Sequence, residues 1–250
     1  MSFALVSKDE GIATVTLSRG KVNALNEAVI GELDARLREL ERAGDVRGII
    51  LTGQGKFFSF GFDIPEFLSH PKESFARYLT RFTTLYRYMF FHPKPVVAAL
   101  NGHTIAGGCM LATACDYRLM VADKARISLN EITFGSSVFA GSVELLRYWT
   151  GDKNAQTILF SGAMYSAEEA LKLGLVDQVS TEANLLTEAK QVAQQLAGKD
   201  GAPFGSIKRL LRKSVGEEMA RGESDSIAEF VDIWYSETTR KKVQEIKIHG

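Results

Sequence analysis

The chain has 250 residues, enough for one large domain with a sizeable core. Its 30 Lys and Arg balance 30 Asp and Glu, which argues against bulk nucleic-acid binding or attachment to an anionic membrane. The two cysteines, Cys109 and Cys115, share one small-residue segment with no His or Cys ligand set around them. They read as reduced core thiols of a cytoplasmic protein, with no metal site expected. The first residues lack the basic start and long apolar stretch of a signal peptide, and no apolar run is long enough to span a membrane.

In chain order, Phe3 to Val6 and Ile12 to Leu17 flank Lys8-Asp9-Glu10-Gly11 as a hairpin. Asn26 is the expected N-cap of a helix from Glu27 to about Ala43. Gly48 to Leu51 reads as a short buried strand. Thr52 to Asp63 reads as a Gly- and Phe-rich loop. Pro65 suits the first turn of one long helix to about Phe91, with Phe82, Leu85, Tyr86 and Met89 as its core stripe.

The middle of the chain is the most informative. Val96 to Leu100 is an apolar run after Pro93 and Pro95, Asn101-Gly102 is a turn signal, and Gly107-Gly108 opens a small-residue helix. Strand, turn, double glycine and helix expose backbone N–H groups where negative charge is stabilised. Glycines there allow close approach to the main chain.

Asp116 to Val121 and Ala125 to Leu129 read as strands. Ser142 to Trp149 and Asn154 to Phe160 read as helices. Ser166-Ala167-Glu168-Glu169 matches a capping box and starts a helix to Leu173, ended by Gly174. Val176 to Val179 reads as a last strand. From Thr181 onward the chain reads as helix, with breaks expected near Gly201-Ala202-Pro203 and Gly216. Strands alternating with helices give an α/β class; the helical tail is either a cap or an oligomerisation surface.

Four ordered segments resemble the crotonase family of enoyl-CoA hydratases and isomerases. They are Asn23-Ala24-Leu25-Asn26; Gly53 to Ile64, similar to G-x-G-x-x-F-(S/C)-x-G-x-D-(I/L); the Lys94 to Gly108 stretch; and Ser161 to Ala170 running into Gly174-Leu175-Val176-Asp177. The resemblance implies a spiral of ββα units over residues 1–198 that binds CoA and carries catalysis. It implies a helical C-terminal region, 199–250, that builds a homotrimer or hexamer. It also implies an oxyanion hole made by the backbone N–H groups of Phe62 and Gly107. Two such donors would stabilise a thioester enolate, each by roughly 3–4 kcal/mol of barrier. The family often has Ala where Phe62 stands, so a narrower acyl pocket is expected.

The carboxylates bear on the reaction. Hydratases of the family use two glutamates; the matching positions here are Met110 and Glu131. Hydratases also tend to have Pro-Gly-Ala-Gly-Gly where this chain has Val138-Phe139-Ala140-Gly141-Ser142. Both departures imply a drier site. Leu129-Asn130-Glu131 resembles the segment of Δ3,Δ2-enoyl-CoA isomerases that carries their lone glutamate. One base suffices to move a proton from C2 to C4. Met110, Phe134 and Phe139 are expected to desolvate Glu131 and raise its pKa. By residue type alone Glu131 would be a surface carboxylate.

The expected reaction is isomerisation of a 3-enoyl-CoA to a 2-enoyl-CoA. Hydration of a 2-enoyl-CoA, with Glu131 alone or helped by Glu144, and acyl-CoA or partner binding without turnover are the alternatives. The CoA thioester is the substrate and no cofactor is implied. By resemblance, Val22, Ala24, Leu25, Phe60, Gly61, Asp63 and Ile64 lie against CoA, and Lys21, Lys241, Lys242 and Lys247 are candidate phosphate contacts. Asp63 is expected chiefly to cap the Pro65 helix. Asp116 and His92 are expected to be structural, while His103, in the loop before the double glycine, is a weaker candidate for approach to the acyl chain.

Overall fold

The computed structural model describes residues 2–122 and 124–245; Lys247 lies outside them. β1 (Ala4–Asp9) and β2 (Ile12–Leu17) form the expected hairpin, paired from Asp9 with Ile12 to Ala4 with Leu17. Its loop is Glu10-Gly11, both at positive φ (48° and 80°), a turn whose twist matches that of paired strands. α1 (Glu27–Arg42) is capped by Asn26, whose side chain accepts from the Val29 N–H at 3.1 Å. It buries Val29, Ile30, Leu33, Leu37 and Leu40, spaced for one helix face.

The chain then advances in repeated units. β3 (Gly48–Gly53) is followed by β4 (Phe57–Ser59), α2 (Ile64–Phe67) and α3 (Lys72–Phe90). β5 (Val96–Leu100) is followed by β6 (His103–Ile105) and α4 (Gly107–Thr113). β7 (Tyr117–Val121) is followed by β8 (Ile127–Ser128), one 3-10 turn (Glu131–Phe134), α5 (Ala140–Ser161) and α6 (Ala167–Leu173). β3, β5 and β7 enter one sheet, ordered β1-β2-β3-β5-β7 and completed by β9 (Gln178–Ser180). β4, β6 and β8 form a second. Apart from the hairpin, both sheets are parallel. Each unit thus gives one strand to each sheet before its helix returns the chain. α7 (Leu185–Ala197), α8 (Gly201–Trp234) and α9 (Glu237–Gln244) follow. Every residue of β3 and β5 is buried, which explains their unbroken apolar runs.

Several expectations need correction. The long helix from Pro65 is two helices: α2 stops at Phe67, and Pro71 (ψ 154°) precedes α3. A proline disfavours helical geometry in the residue before it, so the chain restarts. The Thr52–Asp63 loop contains β4, and the turn after β5 contains β6. The last strand is displaced to Gln178–Ser180. The two helices read around residues 142–160 form one segment bent at Gly151 (φ 73°). Asp200 caps α8, so Pro203 falls in a first turn. Gly216 does not interrupt α8; a Cβ there would overlap the ring of Phe91.

α8 packs along α3 and α5. It is anchored by Asp116, which pairs with Lys208 (2.8 Å) and Arg212 (2.9 Å) and accepts from the Val96 N–H (2.7 Å). Burial pushes Lys208 down to about 8 against the opposing pull of Asp116. No helix among the described residues is long and apolar enough to cross a membrane.

Candidate active site

The site is built where the ends of β4, β6 and β8 converge. After β4, the Ser59 Oγ donates to the Asn23 carbonyl (2.8 Å) and accepts from the Gly61 N–H (3.1 Å). Gly61, at φ 89°, accepts from the Leu25 N–H (2.7 Å), and the Asp63 N–H donates to the Leu25 carbonyl (3.0 Å). This parallel bridge uses the groups on either side of Phe62 and turns the Phe62 N–H the other way. That N–H has no hydrogen-bond partner among the described residues. Asp63 caps α2 through the Glu66 N–H (3.2 Å) and pairs with Arg19 (2.6 Å). Its capping role is therefore as expected.

After β6, Ala106 takes a strained conformation for a non-glycine residue (φ 50°, ψ −120°). Its N–H donates to the Ser128 carbonyl (2.8 Å), and its carbonyl accepts from the Met110 N–H (3.0 Å). The Gly107 N–H, first of α4, has no partner among the described residues. The two loops pack main chain to main chain. A Cβ on Gly61 would stand 3.0 Å from the Gly107 nitrogen, and one on Gly107 would stand 3.0 Å from the Phe62 ring. The glycines admit backbone to backbone here.

After β8, Glu131 opens the 3-10 turn. It is 4% exposed, and its Oε2 is buried without a partner among the described residues. Burial pushes its pKa up to about 8. The turn closes with the Ser136 N–H on the Glu131 carbonyl (2.9 Å) and Gly135 at φ 78°. Thr239 of α9 donates to the Gly135 carbonyl at 2.5 Å, so the C-terminal helix holds the turn that carries Glu131.

These loops face a cavity of about 200 Å³. Glu131, Phe62, Ile64 and Ile105 are its buried lining; Phe60, Ala106, Asn130 and Phe134 are half-buried, and Thr133 is exposed. Phe230 and Trp234 complete the wall from α8. These two were not singled out in the sequence. Their only signal was an apolar helix face, indistinguishable from core. The cavity lining thus crosses from the ββα units into the C-terminal helices.

Of the remaining candidates, Met110 and Phe139 are buried and outside the lining. Phe139 stands behind it, stacked on Phe230 with ring centroids 4.7 Å apart. Val22 is half-buried and accepts from the Phe60 N–H (2.9 Å); Ala24, Leu25 and Gly61 are buried, forming the loop rather than the cavity surface. His92 is fully buried, with Nδ1 3.1 Å from the Lys94 carbonyl, the structural role expected of it. His103 lies against Phe57 and does not line the cavity. Glu144 pairs with Arg147 (3.0 Å), away from the cavity lining. Lys241 pairs with Glu237 (2.6 Å), and Lys242 lies beside Gly135. The Cys109 thiol is pushed up by burial and by the nearby Glu131 charge, which makes it inert.

The chain and its fold match known proteins. The model of the enoyl-CoA hydratase/isomerase family covers residues 7–246. The chain is 35% identical over 214 residues to a probable enoyl-CoA hydratase of Bacillus subtilis (strain 168), covering 84% of this chain and 82% of the relative. It is 28% identical over 235 residues to the mitochondrial enoyl-CoA delta isomerase 1 of Mus musculus, covering 93% and 81%. The crystal structure of human mitochondrial delta3-delta2-enoyl-CoA isomerase superposes with a TM-score of 0.91 at 29% identity, covering 97% of this chain and 95% of that one. The architecture is the crotonase fold. The chain belongs to the enoyl-CoA hydratase/isomerase family.

Proposed function

We propose that this protein isomerises a 3-enoyl-CoA to the 2-enoyl-CoA with Glu131 as the sole proton shuttle. The observation that carries this reading is the isolation of Glu131: among the described residues it is the one titratable side chain lining the cavity, and its Oε2 is buried without a hydrogen-bond partner.

The thioester carbonyl oxygen accepts from the Phe62 and Gly107 N–H groups. The Glu131 carboxylate removes a proton from C2, and the electron pair delocalises onto that oxygen. Each of the two donors contributes roughly 3–4 kcal/mol where the charge develops. The protonated Glu131 then delivers its proton to C4, and the double bond comes to lie between C2 and C3. No atom is gained or lost. A carboxyl with a pKa near 8 suits both halves, since it takes and returns a proton at comparable cost. The CoA thioester is the substrate, and the scheme uses no cofactor. Exposed Ile207, Leu210 and Leu211 on α8 support assembly through the C-terminal helices, as a homotrimer or a hexamer.

Hydration is the second reading, favoured by the name of the Bacillus relative. It requires water to be held and deprotonated as well as a proton placed on C2, and Met110 offers no second carboxylate. Purified protein and Glu131→Gln, each given a 3-enoyl-CoA and a 2-enoyl-CoA with products identified by mass, decide between the readings. Conversion of the 3-enoyl substrate at unchanged mass, lost in the variant, is the expected result. Addition of one water to the 2-enoyl substrate, without isomerisation, replaces the proposal with hydration. No change in either substrate leaves a binding protein or another acyl-CoA reaction.

A further inference from the structure

One inner wall of the cavity is a closed stack of aromatic rings, and Phe62 is its front face. The Phe62 side chain lines the cavity and is 8% exposed. Its ring meets Phe82 edge-on at 4.8 Å and Tyr78 at 5.3 Å, with Phe67 at 6.2 Å and Phe139 at 6.4 Å. Phe67, Phe82 and Phe139 are fully buried, and the Tyr78 hydroxyl donates to the Leu25 carbonyl at 3.0 Å, which fixes that ring. Gly107 closes against the Phe62 ring from the α4 side. The ring therefore has little freedom to swing aside.

We propose that Phe62 is the specificity-determining residue of this enzyme, restricting it to compact, short unsaturated acyl groups by plugging the inner end of the pocket. The inference rests on the acyl-CoA reading above. The residue acts here through its side chain alone, because its backbone N–H persists under any substitution except proline. Removing the ring opens space bounded by Tyr78, Phe82 and Phe139 that is continuous with the cavity, since Phe62 itself lines it. A packed aromatic interior does not close such a gap on its own.

The test is a series of 3-enoyl-CoA substrates from butenoyl to dodecenoyl, assayed with wild type, Phe62→Ala and Phe62→Leu. A parallel series of saturated CoA thioesters, from butyryl to dodecanoyl, is measured by calorimetric binding. Wild type is expected to lose roughly 10-fold or more in kcat/KM once the chain overruns the wall. Phe62→Ala is expected to raise the long-to-short ratio by at least about 10-fold, with Phe62→Leu between. The same break in affinity is expected with the saturated thioesters. Wild type that handles long and short chains alike overturns the proposal, as do folded variants with an unchanged ratio. Should Phe62→Ala fail to fold, Phe62→Leu and the wild-type binding series still decide. A length limit in binding without turnover of any 3-enoyl-CoA defeats the isomerase reading and keeps this one. Isomerase turnover without a length limit does the reverse.

Discussion

Gly61 and Gly107 touch through their main chains: a single methyl on Gly61 would stand 3.0 Å from the Gly107 nitrogen and 2.9 Å from the Ile105 oxygen. Gly61 also sits at φ 89°. Gly61→Ala is expected to lower stability by about 1–3 kcal/mol through strain and to lower kcat by about 10²–10³-fold by parting the two N–H donors. Gly55 is the matched control. It has φ 77° and open space around a would-be Cβ, so Gly55→Ala should show the strain without the kinetic loss. Chemical denaturation and steady-state kinetics on the pair measure the difference; equal kcat losses would refute the role given to the contact.

Glu131 makes two linked predictions about pH. Its folded pKa, about 8, lies above its ordinary value of 4.5. Between those values the native state holds a proton that the unfolded chain has released, so this residue makes stability fall as pH rises from 4.5 to 8. Glu131→Gln removes that slope. Urea midpoints of the two proteins should therefore diverge in favour of the variant toward pH 8. In the proposed reaction the carboxylate is the form that takes the C2 proton, so wild-type kcat/KM should rise with pH to an inflection near 8. The variant should lose about 10²–10⁴-fold in kcat. An inflection near 4.5 would mean that Glu131 is solvated.

Two helical glycines should respond oppositely to alanine. Gly31 on α1 is exposed, and a Cβ there meets nothing within 4 Å. Gly31→Ala should stabilise by about 0.5–1 kcal/mol. Gly216 on α8 lies under the Phe91 ring, and Gly216→Ala should cost about 1–3 kcal/mol by overpacking despite the better helix propensity. Thermal melts of Gly216→Ala, Phe91→Leu and the double variant test the cause. The double variant should recover part of the loss.

The anchor of α8 gives a prediction about folding stability away from the cavity. Asp116, Lys208 and Arg212 are each under a tenth exposed. Asp116→Asn leaves two buried cations without their carboxylate and should cost about 3–5 kcal/mol in urea denaturation. Lys208→Met removes a charge and keeps Arg212 paired, so its cost should be smaller. The reverse order would show that Lys208, rather than Asp116, is the centre of the group.

The parts of the fold legible in the sequence are those fixed within a few residues. Asn26 caps α1, and Ser166 with Glu169 closes a complete capping box on α6, because each bond spans a few positions. β4 and β6 were illegible because strands of three residues carry almost no periodicity and exist only by pairing with each other and with β8. Gly216 misled because the ring that tolerates it comes from Phe91, distant in sequence. In the site, local chemistry marked Gly107 only as part of a Gly-rich connection between strand and helix; its donor role, like the role of Glu131, came by resemblance. Phe230 and Trp234 were hidden because a helix shows which residues share a face, and not what that face meets.

α9 ties two sides of the cavity. Thr239 holds the Gly135 carbonyl beyond Glu131, and Arg240 holds the Leu68 carbonyl beyond α2 at 2.9 Å. Phe230 and Trp234, just upstream, supply one wall. Synthesis runs the other way along this list: a ribosome delivers Phe62, Gly107 and Glu131 long before the helices that enclose them. The nascent chain thus carries the Glu131 carboxyl and the Phe62 and Gly107 N–H groups in an unfinished pocket. An interrupted translation product would hold these groups without the enclosure that raises the Glu131 pKa.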